Sequence, residues 1–116
     1  MNKLKVLSIS LIVVVFAAIL TLFLNTNGPK EPKKSEIGTA VNQAQYIYNL
    51  RKEQGTDFSK GPCLSNALLD DWVLDIAHNP RQSIDDFAEN QCPAFLEGRA
   101  KHFVELDPDG NLIRAR

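Results

Sequence analysis

The amino-acid sequence predicts an α+β protein in which an N-terminal transmembrane helix carries one small folded domain. Three features indicate this class: an uncharged run over residues 6–24, an amphipathic pattern over 36–54, and two short strands around a tight turn near the C-terminus. The chain has 116 residues, which is enough for one such domain.

The uncharged run, VLSISLIVVVFAAILTLFL, covers 19 residues and is interpreted as a membrane-spanning helix. At about 1.5 Å per residue it would span roughly 28 Å, close to the ~30 Å hydrocarbon core of a bilayer. A cleaved signal peptide is the alternative, but its apolar region is usually shorter, and no small-residue cleavage site follows this run. We therefore expect residues 1–24 to anchor the protein in the cytoplasmic membrane, with residues 6–24 in contact with lipid.

The orientation of the span follows from the basic residues that flank it. Lys3 and Lys5 precede the span, and three further lysines follow it, partly offset by acidic neighbours, so the positive-inside rule is nearly balanced. A very short basic N-terminus usually stays inside. We expect the N-terminus inside and the C-terminal domain outside the cytoplasmic membrane.

Charge argues against nucleic acid as a partner. All 14 acidic residues follow the span, together with 11 of the 13 basic residues, so this part of the chain carries a net charge of −3. Nucleic-acid binding needs a basic stripe with aromatic platforms, which the sequence does not show. The partners expected are the membrane and a protein of the cell envelope.

Residues 25–35 are expected to form a linker, and residues 36–116 the folded domain. A glycine and two prolines in the linker interrupt any continuous helix from the membrane. From residue 36 the apolar side chains recur every three or four positions, which predicts an amphipathic helix over 36–54. Ser35 is a candidate N-cap, and Gly55 a natural stop.

The remainder predicts a sheet of about three antiparallel strands packed against this helix. Residues 102–115 are typical of a β-hairpin, because Pro108 and Gly110 suit the turn between two strands. One face of the sheet is expected to lie under the helix, and the other under the irregular segment 79–98.

The sequence does not decide whether residues 66–77 form a helix or a strand, since their apolar residues match both the helical and the strand periodicity. The hypothesis adopted is a helical turn over 65–70 followed by a strand over 72–77. A lone hairpin needs a third strand for stability, which favours the strand.

The two cysteines, Cys63 and Cys92, both lie in the predicted domain. In an oxidising compartment, two cysteines in a small domain favour a disulfide bond. Two buried thiols in a cytosolic domain are the alternative. A bond would close a loop of about 30 residues and contribute roughly 3.5 kcal/mol of stability in the chain-entropy model.

A Cys–His hydrolase is the alternative function. The segment HFVELDPDG resembles the His strand of transglutaminase-like and bacteriocin-leader peptidase folds. The resemblance implies Cys63 as nucleophile and His102 as base, in the chain order those enzymes use. The sequence departs from them because their Cys opens a helix and usually lies farther from the His. We assign no catalytic residue on this resemblance alone.

Other polar residues form weaker patterns. His78 and Arg81, in the turn HNPR, are candidates for binding an anion, or for a turn in which Arg81 pairs with Asp85 or Asp86. The cysteines and histidines are too widely spaced to indicate a zinc site, so neither a metal nor another cofactor is predicted.

Two broader resemblances remain. The core GPC…DWVLDIAHNPR…NQC…HFVELDPDGNL resembles a family of small, uncharacterised, single-pass bacterial membrane proteins, which implies no activity. The order of apolar helix, amphipathic helix and small sheet is similar to pilin-like proteins. The chain departs from those because no Gly precedes the apolar run and no acidic residue lies near its start.

Taken together, these patterns favour a membrane-anchored extracytoplasmic domain with a non-enzymatic binding or structural role at the cell envelope. The thiol hydrolase using Cys63 and His102 is the first alternative, and a pilin-like envelope subunit is the second.

Overall fold

The structure is a computed structural model that describes residues 2–26 and 30–116. The chain divides into two compact units, Met1–Lys30 and Glu31–Arg116. The predicted linker, residues 25–35, falls partly on residues 27–29, which lie outside the described residues.

In the first unit, helix α1 covers Lys3–Thr26. Its part Lys3–Leu22 is long and apolar enough to cross a membrane, and the large apolar side chains there are exposed within the unit. A signal sequence near an N-terminus meets the same criteria. The helix is therefore compatible with the predicted anchor.

The second unit confirms the α+β class. Helix α2 covers Lys34–Glu53. The elements that follow it include the strands and a short α-helix: β1 (Cys63–Leu69), β2 (Trp72–Ile76), α3 (Pro93–Leu96), β3 (His102–Leu106) and β4 (Leu112–Ala115). The prediction of about three antiparallel strands is wrong. In the described residues the sheet has four strands in the order β1-β2-β3-β4, and it is mixed because β2 and β3 run parallel.

The predicted helical turn over 65–70 is wrong, because these residues up to Leu69 belong to strand β1. Residues 70 and 71 make a tight turn, so that Leu69 pairs with Trp72 and β1 lies antiparallel to β2. Asp71 has φ +66°, in the left-handed region that Asp tolerates better than most residues. Asp70 and Asp71 therefore form the turn of a β-hairpin, and the residues before them form its first strand.

The parallel pairing arises because residues 77–101 cross over one face of the sheet and return to the start of β2. Asp71 fixes this return: its carboxylate accepts a hydrogen bond from the Lys101 N–H at 2.9 Å, and its carbonyl accepts one from the His102 N–H at 3.0 Å. The register then places β3 alongside β2, residue for residue, from Trp72 and His102 onward.

The N-cap of helix α2 lies two residues before the predicted cap, Ser35. Lys33 holds the N-cap position, and its N–H donates to the Glu36 carboxylate at 3.1 Å, so Ser35 lies inside the first turn. The helix ends at Glu53, and Gly55 follows it with φ +77°. This confirms the glycine stop, which a left-handed residue provides after a helix.

The predicted C-terminal hairpin is formed by β3 and β4, and α2 holds its turn. The Tyr48 hydroxyl donates to the Pro108 carbonyl at 2.8 Å, and the Gln45 amide donates to the Gly110 carbonyl at 2.9 Å. Gly110 has φ +87° and lies directly against the Tyr48 ring, so a side chain would not fit there.

The two faces of the sheet are covered as expected. On one face α2 buries Ala40, Ala44 and Tyr48. The strand residues that join this core are Leu64, Leu68, Trp72, Leu74, Ile76, Val104 and Leu106. On the other face the crossover packs a smaller cluster, formed by Val73, Cys92, Ala94, Ala100 and Phe103, with Cys63 against it.

Candidate functional site

The structure does not bring Cys63 and His102 together. Cys63 pairs with Asp75 on one side of β2, whereas His102 pairs with Trp72 on the other side. Two strand spacings and three residues separate them, which corresponds to about 14 Å between their Cα atoms. His102 contacts the Trp72 ring at 5.0 Å, and its Nε2 lies 3.7 Å from an Asp71 carboxylate oxygen.

Cys63 instead lies at disulfide distance from Cys92. The two sulfur atoms are 2.05 Å apart, with 4.9 Å between the Cα atoms. The pair ties β1 to the crossover and forms part of the apolar cluster on that face. Among residues 2–26 and 30–116, no three His, Cys, Asp or Glu side chains are grouped as a metal site would require.

His78 belongs to a buried hydrogen-bond cluster centred on Asp85. The Asp85 carboxylate accepts the backbone N–H groups of His78 at 3.0 Å and Gln82 at 2.8 Å, and lies 2.8 Å from His78 Nδ1. Burial raises the pKa of Asp85, but these hydrogen bonds outweigh it and hold the pKa below its ordinary value. Gly61 lies directly against this carboxylate, where a side chain would clash. The cluster fixes the start of the crossover.

Arg81, the other predicted polar residue, points toward a cavity on the crossover face. Its Nε donates to Asp86 at 3.0 Å, and its Nη1 lies 3.5 Å from Glu105 Oε1. The ion pair with Asp86 agrees with the turn interpretation of HNPR. The contact with Glu105 places Arg81 in a larger group of charges.

The cavity lies between the sheet and the crossover and has a volume of about 130 Å³. Side chains of β2, β3, β4 and the crossover converge on it. Its lining residues are Val73, Asp75, Arg81, Gln91, Cys92, Phe95, Phe103, Glu105, Arg114 and Arg116. A concave, partly apolar site with a few convergent polar groups is the usual form of a small-molecule site.

Glu105 is the central charge of the cavity wall. Its side chain is 8% exposed. Arg114 of the neighbouring strand donates to its carboxylate through Nε at 3.2 Å and through Nη2 at 2.9 Å. A guanidinium that binds one carboxylate through two nitrogens is held in a fixed orientation. Arg114 is itself about half exposed, so it reaches both Glu105 and the cavity mouth.

Asp75 lies next to Glu105, because the two residues are register partners on the parallel strands β2 and β3. Its Oδ1 is buried and has no hydrogen-bond partner within the described chain. Burial, reinforced by the negative charge of Glu105, raises the pKa of Asp75 to about 8, against the opposing effect of Arg81. At neutral pH this carboxyl group is therefore an uncharged acid and a potential hydrogen-bond donor.

Phe103 forms the apolar wall of the cavity. The guanidinium carbons of Arg114 and Arg116 lie 5.1 and 5.3 Å from its ring centroid, and Phe95 meets it edge-on at 5.1 Å. Both distances are within the range of cation–π contacts. In the described residues, Arg116 makes no ion pair or side-chain hydrogen bond.

Sequence reasoning identified Arg81 at this site and missed the others. The alternation in LIRAR places Arg114 and Arg116 on one face of β4. Glu105 lies opposite Arg114 only because the β3–β4 register shifts between Glu105 and Leu106, and sequence alternation does not indicate that shift. The sequence did not predict that Asp75 lies next to Glu105, because this contact depends on the parallel pairing of β2 and β3.

Compared with protein-family models, curated proteins and solved structures, the chain gives no match.

Proposed function

We propose that this chain is a membrane-anchored extracytoplasmic domain with a non-enzymatic binding role at the cell envelope, and that the cavity on the crossover face is its binding site. The observation that carries the proposal is the buried carboxyl of Asp75 beside Glu105. A carboxyl group whose pKa is raised to about 8 has to be protonated for the protein to fold at neutral pH, which costs stability. Residues that cost stability in a cavity are typical of functional sites.

The wall of the cavity supports binding rather than thiol chemistry. A thiol hydrolase requires a free Cys63 thiolate within hydrogen-bond reach of a base. With its sulfur at disulfide distance from Cys92, Cys63 offers no such thiolate. The polar groups of Asp75, Glu105 and Arg114 converge on the cavity and can orient a ligand.

Binding is tested with the full chain, isotope-labelled and held in detergent micelles, by NMR against a set of small fragments. We expect bound fragments to shift amide resonances around Gln91, Phe103 and Arg114. Resonances of Ala40 and Ala44, on the opposite face of the sheet, are the internal control and should not move. If no fragment shifts the cavity resonances selectively, this site is not a binding site and the proposal fails.

The extracytoplasmic location is tested with two reporters fused after Arg116, one active only outside the cytoplasmic membrane and one active only inside it. We expect activity from the outside reporter alone. Deletion of residues 6–24 should remove that activity, because it removes the span. Activity from the inside reporter alone would reverse the proposed orientation.

A further inference from the structure

We propose that the cavity on the crossover face binds a small organic carboxylate, held by the guanidinium groups of Arg114 and Arg116 against the ring of Phe103. This inference rests on the proposed binding function and specifies its ligand class.

The charge of the wall favours a single negative charge on the ligand. Three guanidinium groups line the cavity, and Glu105 is the carboxylate that faces them there. Arg81 is shared with Asp86 on the protein surface. With Asp86 counted and Asp75 as an uncharged acid, the side chains of this group carry a net charge of +1, which favours a monoanion over a cation.

Arg116 is the group that this anion would pair with. Arg114 and Arg116 both lie within 5.3 Å of the centroid of the same ring, so their positive charges are close to each other. Arg114 already binds Glu105 through two nitrogens, whereas Arg116 has no side-chain polar partner in the described residues. A carboxylate accepts two parallel hydrogen bonds from one guanidinium, which matches the free fork of Arg116.

Asp75 favours a ligand that carries a hydrogen-bond acceptor. Its protonated carboxyl lines the cavity and has an oxygen without a hydrogen-bond partner. A protonated carboxyl has one O–H donor, which a carboxylate oxygen of the ligand can accept. The charged groups that face Asp75 are Glu105 of β3, and Arg81 and Asp85 of the crossover.

The size of the cavity suits a ligand of a few atoms. Its volume of about 130 Å³ is comparable with an engineered apolar cavity of about 150 Å³ that holds benzene. The side chains of Phe95 and Phe103, with Val73, provide apolar surface for a short hydrocarbon part. A short-chain carboxylate such as propionate fits this description.

The test uses the full chain in detergent micelles and NMR titration with propionate, at constant ionic strength. Propionamide and propylamine are the matched neutral and cationic probes, and inorganic phosphate is the inorganic anion. We expect propionate to shift resonances around Gln91, Phe103 and Arg114, with an affinity in the millimolar range for so small a ligand. The amide and the amine should shift none of them at the same concentration.

Two variants locate the contact. Arg116→Gln should lower the affinity for propionate about tenfold, because one charge-assisted hydrogen-bond pair is lost. Arg99→Gln is the control, since Arg99 is an exposed residue that pairs with Glu97 outside the cavity, and its affinity should be unchanged. Equal effects of the two substitutions would overturn the proposed contact.

A pH series gives an independent readout that does not depend on Arg116. From about pH 6.5 to about pH 9 the affinity of the unmodified protein should fall about tenfold, because ionised Asp75 repels the carboxylate. Asp75→Asn keeps an uncharged donor and should remove most of this dependence. A pH dependence that persists in Asp75→Asn would exclude Asp75 from the site.

The outcomes separate this inference from the proposed function. Selective binding of propylamine, or of phosphate without propionate, would overturn the carboxylate inference and leave a binding cavity. Failure of these probes and of every fragment to shift the cavity resonances would overturn both.

Discussion

The two faces of the sheet in Glu31–Arg116 are made from the same strands but have different chemistry. The face under α2 is a continuous apolar layer, in which Leu74, Ile76, Val104 and Leu106 are completely buried. The face under the crossover combines a small apolar cluster with a cavity lined by two carboxyl groups and three guanidinium groups. Each strand contributes to both faces, because successive side chains alternate.

This difference separates apolar packing from charged side chains within one small domain. The α2 face supplies most of the apolar burial that folding requires. The crossover face instead buries Asp75 and Glu105, which must be protonated or paired to be tolerated there. Substitutions on the two faces should therefore differ in their effects.

The largest effect is expected on the α2 face. Leu74→Ala removes a fully buried side chain from the centre of the sheet and should lower the free energy of unfolding by about 4 kcal/mol. Urea unfolding of the full chain in detergent micelles, followed by fluorescence of Trp72, measures this. Leu112→Ala is the control, because Leu112 is 48% exposed and should cost less than about 1 kcal/mol. Similar losses in both variants would contradict a core on this face.

The disulfide pair is the strongest link on the crossover face. The double variant Cys63→Ala/Cys92→Ala should lose about 3.5 kcal/mol, because the two residues are 29 positions apart and the loop between them is no longer closed in the unfolded chain. The same unfolding assay, with and without a reductant, measures the loss. The reductant should weaken the unmodified protein by a similar amount and leave the double variant unchanged. Insensitivity of the unmodified protein would mean that the cysteines are free thiols.

Glu105→Gln addresses the charged part of the crossover face. It removes the charge that binds Arg114 and should cost about 2 kcal/mol, less than a fully buried ion pair because Arg114 can turn toward water. Glu97→Gln breaks an exposed pair with Arg99 and should cost less than about 0.5 kcal/mol. If both substitutions cost the same, the Glu105–Arg114 pair is only a surface contact.

The α2 face was the more predictable of the two. Spacing of three and four residues identified α2, and Pro108 and Gly110 identified the β3–β4 hairpin, because these signals are local. The strand β1 was missed because its apolar residues fit both periods, and the turn that decides it depends on one left-handed residue, Asp71. Local pattern is weak evidence for either choice in such short segments.

The crossover face was less predictable because its site depends on long-range pairing. Arg81 was identified from its own turn, but Asp75 and Glu105 become neighbours only when β2 and β3 pair in parallel across the 25 residues that separate the two strands. No local residue pattern encodes that register. The weaker signal, alternate Arg114 and Arg116 in LIRAR, indicates a shared face and not its partner.

A pH dependence of stability is the sharpest distinction between the two faces. The pKa of Asp75 is about 8 in the folded protein and 3.8 as its ordinary value, so between these pH values the folded state holds a proton that the unfolded state releases. Stability should therefore fall as pH rises, by up to about 1.4 kcal/mol per pH unit, and the slope should vanish above the folded pKa. Asp75→Asn should remove this component, while Glu105, Arg81 and Asp85 still face the position.

The measurement is the free energy of unfolding of the full chain from about pH 5 to about pH 9, for the unmodified protein and for Asp75→Asn. The difference between the two curves isolates Asp75, because the other titrating groups are common to both. Leu74→Ala, on the opposite face, should shift the curve downward without changing its slope. Parallel curves for the unmodified protein and Asp75→Asn would show that Asp75 is ionised in the folded state. Asp75 would then be a further carboxylate beside Glu105 and Asp86, the net charge of these side chains and the three guanidinium groups would fall to zero, and the basis for anion binding there would be lost.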